Sequence, residues 1–170
     1  MAKAAVEGHR VVLIVATRGE HGEPVPGVLR DDEQLWQRRE RETHQSAEIL
    51  GVERVEFLGY VDSGMMGEPT NDDPKSFWQA DVDEAAERLA VILREVDASV
   101  LTIYDKIGGY GHPDHIQVHR VGRRAADLVG LTHVFEATMN RDRIVAMVKA
   151  RAAEIEIGRA SCRERVYVLV

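Results

Sequence analysis

A single cysteine in 170 residues leaves no intrachain disulfide to form, which excludes a stapled secreted scaffold. The same scarcity excludes a thiolate zinc cage, which needs several cysteines. Long apolar runs are also missing. None approaches the ~18 residues that mark a membrane span, and Val11 to Ala16 is too short for one. No signal-peptide core precedes it. Positive charge is in deficit, with 22 Lys and Arg against 29 Asp and Glu and a net charge of −7. A broad nucleic-acid surface, which needs clustered Lys and Arg, is therefore not expected. These absences read as a cytoplasmic protein with no nucleic-acid partner and no membrane span.

What is present alternates between strands and helices. Residues 10–16, RVVLIVA, form a nearly continuous apolar run rich in β-branched residues. Such a run fits a strand buried on both faces of a parallel sheet. Ahead of it, MAKAAVEGH reads as the tail of a helix closed at Gly8. A helix follows from a cap at Asp31 or Asp32 to Leu50, then a strand over 52–60. Ser76 is the expected cap of the next helix, where Val82, Ala85, Ala86, Leu89, Ile92, Leu93 and Val96 share one face. Strands are expected at 99–104 and 133–138, with helices from Pro113 to Val129 and over 141–155. The pattern predicts an α/β fold: a Rossmann-like parallel sheet with helices on both faces and right-handed crossovers.

Long loops follow the strands at 10–16, 52–60 and 99–104. In an open parallel sheet such loops lie beyond the carboxyl ends of the strands, where ligands bind. That rim receives Arg18 and Glu20, then Asp62, then His112, Asp114 and His115. The strongest local motif is GGYGHPDH, residues 108–115. Two histidines three apart open a helix after a glycine-rich turn. Imidazole is a common metal ligand, and a nearby carboxylate often fixes its tautomer. The same residues also suit a polar helix start with a capping histidine. His119 lies four residues after His115, a spacing seen in zinc proteases, but Ile116 stands where those need glutamate. A partly buried helix histidine is the preferred reading of His119.

GGYGHPDH, with TRGE (17–20), Arg39-x-x-Glu42 and FLGYVDSGM (57–65), resembles the LmbE/PIG-L family of zinc-dependent N-deacetylases. The resemblance covers residues 1–155 and is nearest to bacterial mycothiol-pathway members acting on N-acetylglucosaminyl groups. It implies hydrolysis of an N-acetyl group on a small amino-sugar substrate, possible inositol linkage included, with one Zn2+. It implies His115 as a metal ligand and His112 as oxyanion stabiliser or acid. Asp114 is implied to orient His112, and Tyr110 to assist at the carbonyl oxygen. Arg39, Asp62 and Met65 are implied in substrate contact, and Glu20 at a sugar hydroxyl. Read without the resemblance, Arg39 is a solvated helix-face charge within RRERE. Asp62-Ser63-Gly64 is then an ordinary turn, and Met65 apolar filling.

The family pattern opens with a strand ending in His-Pro-Asp-Asp, implied to supply two zinc ligands and the general base. No such motif occurs, and the one His-Pro step is His112-Pro113. The expectation is a chain that starts downstream of that central first strand, with an incomplete zinc site and no activity alone. Residues 156–170 depart from the preceding helix pattern and read as a non-native, adapter-derived tail that carries Cys162. A non-catalytic sugar- or nucleotide-binding Rossmann-like domain is the competing reading. It calls for GxGxxG after the first strand, where TRGEHGEP stands instead.

Overall fold

The computed structural model describes residues 1–138 and 140–152, in two units divided after Ala137. The first contains α1 (Ala2–Val6), β1 (Val12–Val15), α2 (Leu35–Ile49), β2 (Arg54–Phe57) and α3 (Val82–Glu95). It continues with β3 (Leu101–Tyr104), a short turn α4 (Gly108–Gly111), α5 (Pro113–Val129) and β4 (Val134–Ala137). The second unit holds α6 (Arg141–Ala152). The tail expected over 156–170, with Cys162, lies outside the described residues.

The strands alternate with helices and pair in parallel, as the apolar runs require. The expectation is a sheet short of its central first strand, and the strands form two separate parallel pairs. β1 pairs with β2, from Val12 opposite Arg54 to Val15 opposite Phe57. β3 pairs separately with β4, from Leu101 opposite Val134 to Tyr104 opposite Ala137. Among the described residues no strand joins the two pairs. The separation also shows in the burial. β1 is apolar enough to be buried on both faces, yet all four of its residues are only half-buried.

Burial is concentrated where α3 packs on α5. Phe77, Ala85, Ala86, Ala90 and Ala125 are fully buried there, with Leu89, Leu93 and Val121 between them. The alanines let the two helix axes approach closely. Gly122 does the same toward the sheet: a Cβ at this position would lie 2.5 Å from Cγ2 of Ile103.

Two helix starts differ from the sequence expectation. α2 begins at Leu35 rather than after Asp31 or Asp32, which are exposed. The Gln34 N–H donates to Oε1 of Gln37 at 2.9 Å, and Glu33 is already turned back to the Arg30 N–H at 3.1 Å. α3 is capped by Asp81, whose Oδ1 accepts from the Glu84 N–H at 2.9 Å, and not by Ser76. Ser76 is held elsewhere, in an isolated bridge with Val61, and Phe77 N–H donates to the Val61 carbonyl at 2.9 Å. α5 starts at Pro113 and ends at Gly130, which takes the left-handed conformation at φ 72°. That region is open to glycine without the Cβ penalty. No described helix is long and apolar enough to cross a membrane.

Gly122→Ala sets a helix-propensity gain of about 1 kcal/mol against an overpacking cost of about 1–3 kcal/mol at Ile103. The expected outcome in urea unfolding is net destabilisation that disappears when the same change is made in an Ile103→Ala background. Additive effects of the two substitutions would contradict the close contact.

Candidate functional site

The site is assembled at the carboxyl ends of β1, β2 and β3. After β3, Asp105 shapes the chain: its Oδ1 accepts from the N–H groups of Ile107 (3.2 Å) and Gly109 (2.9 Å). The stretch expected as open loop is therefore a tight turn. Gly109 there has φ 69° and ψ −73°, a conformation closed to other residues. The turn delivers His112 to the N-cap of α5, where Nδ1 accepts from the Asp114 N–H at 3.1 Å. An accepting Nδ1 places the proton of the neutral ring on Nε2.

His112 and His115 lie ring to ring, with centroids 4.8 Å apart and planes at 28°. Tyr110 approaches both edge-on, at 6.0 and 5.2 Å. The other face of His115 stacks on Tyr104, the last residue of β3, at 3.9 Å and 5°. His115 Nδ1 lies 3.3 Å from the Gly108 carbonyl, which leaves Nε2 as its free nitrogen. Burial pushes the His115 pKa down, and the neighbouring His112 pushes the same way. Burial pushes the Tyr110 hydroxyl up, with Asp62 and Asp114 adding to it. His119 sits apart, its Nδ1 3.1 Å from the Tyr104 carbonyl.

Asp114 is buried, and its carboxylate goes to Ser63 rather than to an imidazole. The Ser63 hydroxyl donates to Oδ1 and the Ser63 N–H to Oδ2 at 3.3 Å. The same hydroxyl oxygen accepts from the Trp78 N–H at 2.9 Å. Burial raises the Asp114 pKa most strongly, the two Ser63 bonds oppose it, and Asp62 raises it further. Asp62 is also buried; its Oδ1 accepts from the Gly64 N–H at 2.9 Å. Glu20 reaches across from the β1 loop, accepting from the Asp62 N–H at 2.9 Å and the Arg18 N–H at 3.3 Å.

His112, Asp114, His115, Tyr110, Asp62 and Glu20 are thus linked in one chain of contacts. Arg39 is not a free solvated charge. It is half-buried on α2, with its guanidinium packed on Gly19 and Gly22 of the β1 loop. Met65 is exposed beyond Asp62. The sequence reading did not single out Ser63 or Tyr104. Ser63 lay inside the motif FLGYVDSGM, next to Asp62. Tyr104 was visible only as the last residue of a strand.

A catalytic zinc site takes three protein ligands and a water. Among the described residues no group of three His, Cys, Asp or Glu side chains could hold a metal ion. His115 offers one free imidazole nitrogen, and Asp114 is committed to Ser63. The donor set therefore does not fit a tightly held metal.

Two outcomes follow from this geometry. Ser63→Ala removes the hydroxyl that lowers the Asp114 pKa, so carbon-detected NMR should show that pKa move further up. Loss of this buried hydrogen bond should also cost about 1–3 kcal/mol in urea unfolding. For His115, the folded state binds fewer protons than the unfolded state, so this group's stability contribution falls as pH drops below about 6.5. His115→Phe, which keeps a ring on Tyr104, should flatten that part of the stability–pH curve.

Comparison with known proteins agrees with the family resemblance. The family profile described as PIG-L, GlcNAc-PI de-N-acetylase, matches residues 1–126. A curated relative from Nocardiopsis dassonvillei is 51% identical over 134 residues, which is 74% of this chain and 48% of the relative. It is named 1D-myo-inositol 2-acetamido-2-deoxy-alpha-D-glucopyranoside deacetylase. The chain spans about half the length of the curated relatives it matches. The N,N'-diacetylchitobiose deacetylase of Pyrococcus horikoshii has a similar fold, with TM-score 0.60 at 18% identity over 89% of this chain and 61% of that one. So does the 4-carboxy-2-hydroxymuconate hydratase of Pseudomonas putida, at TM-score 0.55 and 22% identity over 80% of this chain and 53% of that one. Those two likenesses concern the fold alone, which hosts more than one chemistry. On the profile match and the identity to curated relatives, the chain belongs to the GlcNAc-PI de-N-acetylase (PIG-L) family.

Proposed function

We propose that the protein of which this chain is part hydrolyses the N-acetyl group of an N-acetylglucosaminyl-inositol substrate in the cytoplasm. The observation that carries this reading is the paired imidazoles of His112 and His115, edged by Tyr110 and backed by the Ser63–Asp114 contact. The 51% identity to a relative named for that substrate class supports it.

An amide resists hydrolysis, so the site must stabilise an oxyanion and protonate a leaving amine. The neutral His112 ring carries its proton on Nε2, because Nδ1 is taken by the Asp114 N–H. In our reading that N–H donates a hydrogen bond to the carbonyl oxygen, where negative charge develops. Tyr110, kept protonated by burial and by two nearby carboxylates, is the second donor. Asp114, anchored by Ser63, holds the N-cap geometry that aims His112. Asp62 and Glu20 supply acceptors for sugar hydroxyls, Arg39 supplies donors, and Met65 covers the apolar sugar face.

Zinc is the metal we assign to the family site, with His115 as its ligand from this chain. One imidazole does not hold zinc tightly. The 170-residue chain alone is therefore expected neither to retain stoichiometric zinc after desalting nor to release acetate. Elemental analysis with one zinc per chain, or turnover by this chain, would contradict the reading.

The test of function is acetate release from N-acetylglucosaminyl-inositol by the full-length product of the reading frame that encodes these residues. His112→Ala and Tyr110→Phe should each lower kcat by about 10²–10³, the range for loss of one oxyanion donor. Asp62→Asn should act mainly on KM. An unchanged kcat in His112→Ala removes the proposed role.

A further inference from the structure

Arg18 sits on the rim of the site but takes no part in the chemistry proposed above. Its N–H donates to Oε2 of Glu20 at 3.3 Å, the same oxygen that accepts from the Asp62 N–H at 2.9 Å. Its side chain goes instead to α2 and β2. The guanidinium carbon lies 5.1 Å from the centre of the Trp36 ring and 5.9 Å from that of Phe57, the last residue of β2. Nε lies 3.4 Å from Oε2 of Glu40.

The charges of α2 are sorted by partner. Arg38 and Arg41 are taken up by Glu33 and Glu42. Trp36, Arg39 and Glu40 follow the i, i+3, i+4 spacing and share the face turned to the β1 loop. On that face Arg39 lies against Gly19 and Gly22, where a Cβ at either glycine would overlap its guanidinium. The Gly22 N–H closes this turn on the Gly19 carbonyl at 3.2 Å. Glu20 is a central residue of the turn, with Arg18 anchored on one side of it and Arg39 seated against its glycines. The Arg18–Glu40 pair is about one-third exposed at both ends and adds little stability by itself. What it fixes is geometry. Glycine loses the most backbone freedom on ordering, so a glycine turn without an anchor would be ordered only when substrate binds.

We propose that Arg18 is a positioning residue. Its guanidinium ties the β1 loop to Trp36 and Glu40 of α2, and so holds the Glu20 carboxylate and the Arg39 guanidinium as a preformed pair for the hydroxyls of the sugar. Its effect on turnover rests on the deacetylase reading above, whereas the tie itself requires neither metal nor substrate.

Two measurements separate the tie from the reaction. In the 170-residue chain, Arg18→Ala should speed amide exchange at Gly22 and Asp62 by about tenfold or more, as the turn and the Glu20 contact loosen. The Glu84 N–H, held by the Asp81 cap of α3, should exchange as before. Arg18→Lys, which keeps a cation beside Glu40 and over Trp36, should recover part of the protection. Unchanged exchange at Asp62 in Arg18→Ala overturns the proposal, and so does an equal acceleration at Glu84, which would mark general loosening. In the full-length product, Arg18→Ala should raise KM for N-acetylglucosaminyl-inositol about tenfold and leave kcat within about twofold. Glu20→Gln should raise KM to a similar degree. The double variant should raise it no further, because both changes remove the same oriented carboxylate. A fall in kcat at unchanged KM, or KM effects that multiply, overturns the proposal. No turnover by the wild-type full-length protein would count against the deacetylase reading, and amide exchange would then decide whether Arg18 holds Glu20.

Discussion

The hydroxyl of Ser63 is the contact on which the site depends. It is fully buried, and so must have its polar partners inside the protein. It donates to Asp114 at the start of α5 and accepts from Trp78 at the far end of the loop after β2. One atom thus couples the first turn of the histidine-bearing helix to the excursion over residues 58–81 between β2 and α3. Asn71 completes the excursion from within, donating to the carbonyls of Ser63 (2.6 Å) and Met65 (3.1 Å). A loop held at both ends in this way can present Asp62 without the entropy loss that a mobile segment would suffer on binding.

The same contact explains the electrostatics. Asp62 and Asp114 act on the two imidazoles, Glu20 is bonded to the Asp62 N–H, and each of the three carboxylates accepts from at least one backbone N–H. Those N–H groups are what make burial of the acids tolerable. They also use up acceptor capacity, which is one reason the cluster is not by itself a metal cage. The histidines face the opposite pressure. Burial disfavours the charged ring of His115 and so favours the neutral ring, the form suited to ligation.

Much of the fold could be read in advance because it rests on local signals. The apolar run at 10–16, the helical periodicity over 82–96, the Pro113 start and the Gly130 stop are each contained within a few residues. The misread helix starts show where local reading stops. Ser76 has the chemistry of a cap but is bound to Val61, and Asp31 and Asp32 are bypassed because Glu33 turns the chain first. The parallel pairing could also be expected from the pattern. Its division into two half-sheets agrees with the family-implied sheet short of its central first strand, although the apolar run of β1 by itself reads the same whether or not a neighbour covers its second edge.

By itself the sequence determined the chemistry at hand: one cysteine, an acidic balance, alternating strands and helices, and a glycine turn that places two histidines at a helix start. Tertiary structure alone decided which distant groups meet them. Glu20 and Asp62 are 42 residues apart, and Ser63 and Asp114 are 51 apart. No periodicity spans such separations; packing of α3 on α5 and of the loops at the strand ends brings them together. Ser63 could therefore be read as an ordinary turn residue until the fold buried it, and Arg39 as a solvated charge until α2 laid it against the glycines of the β1 loop.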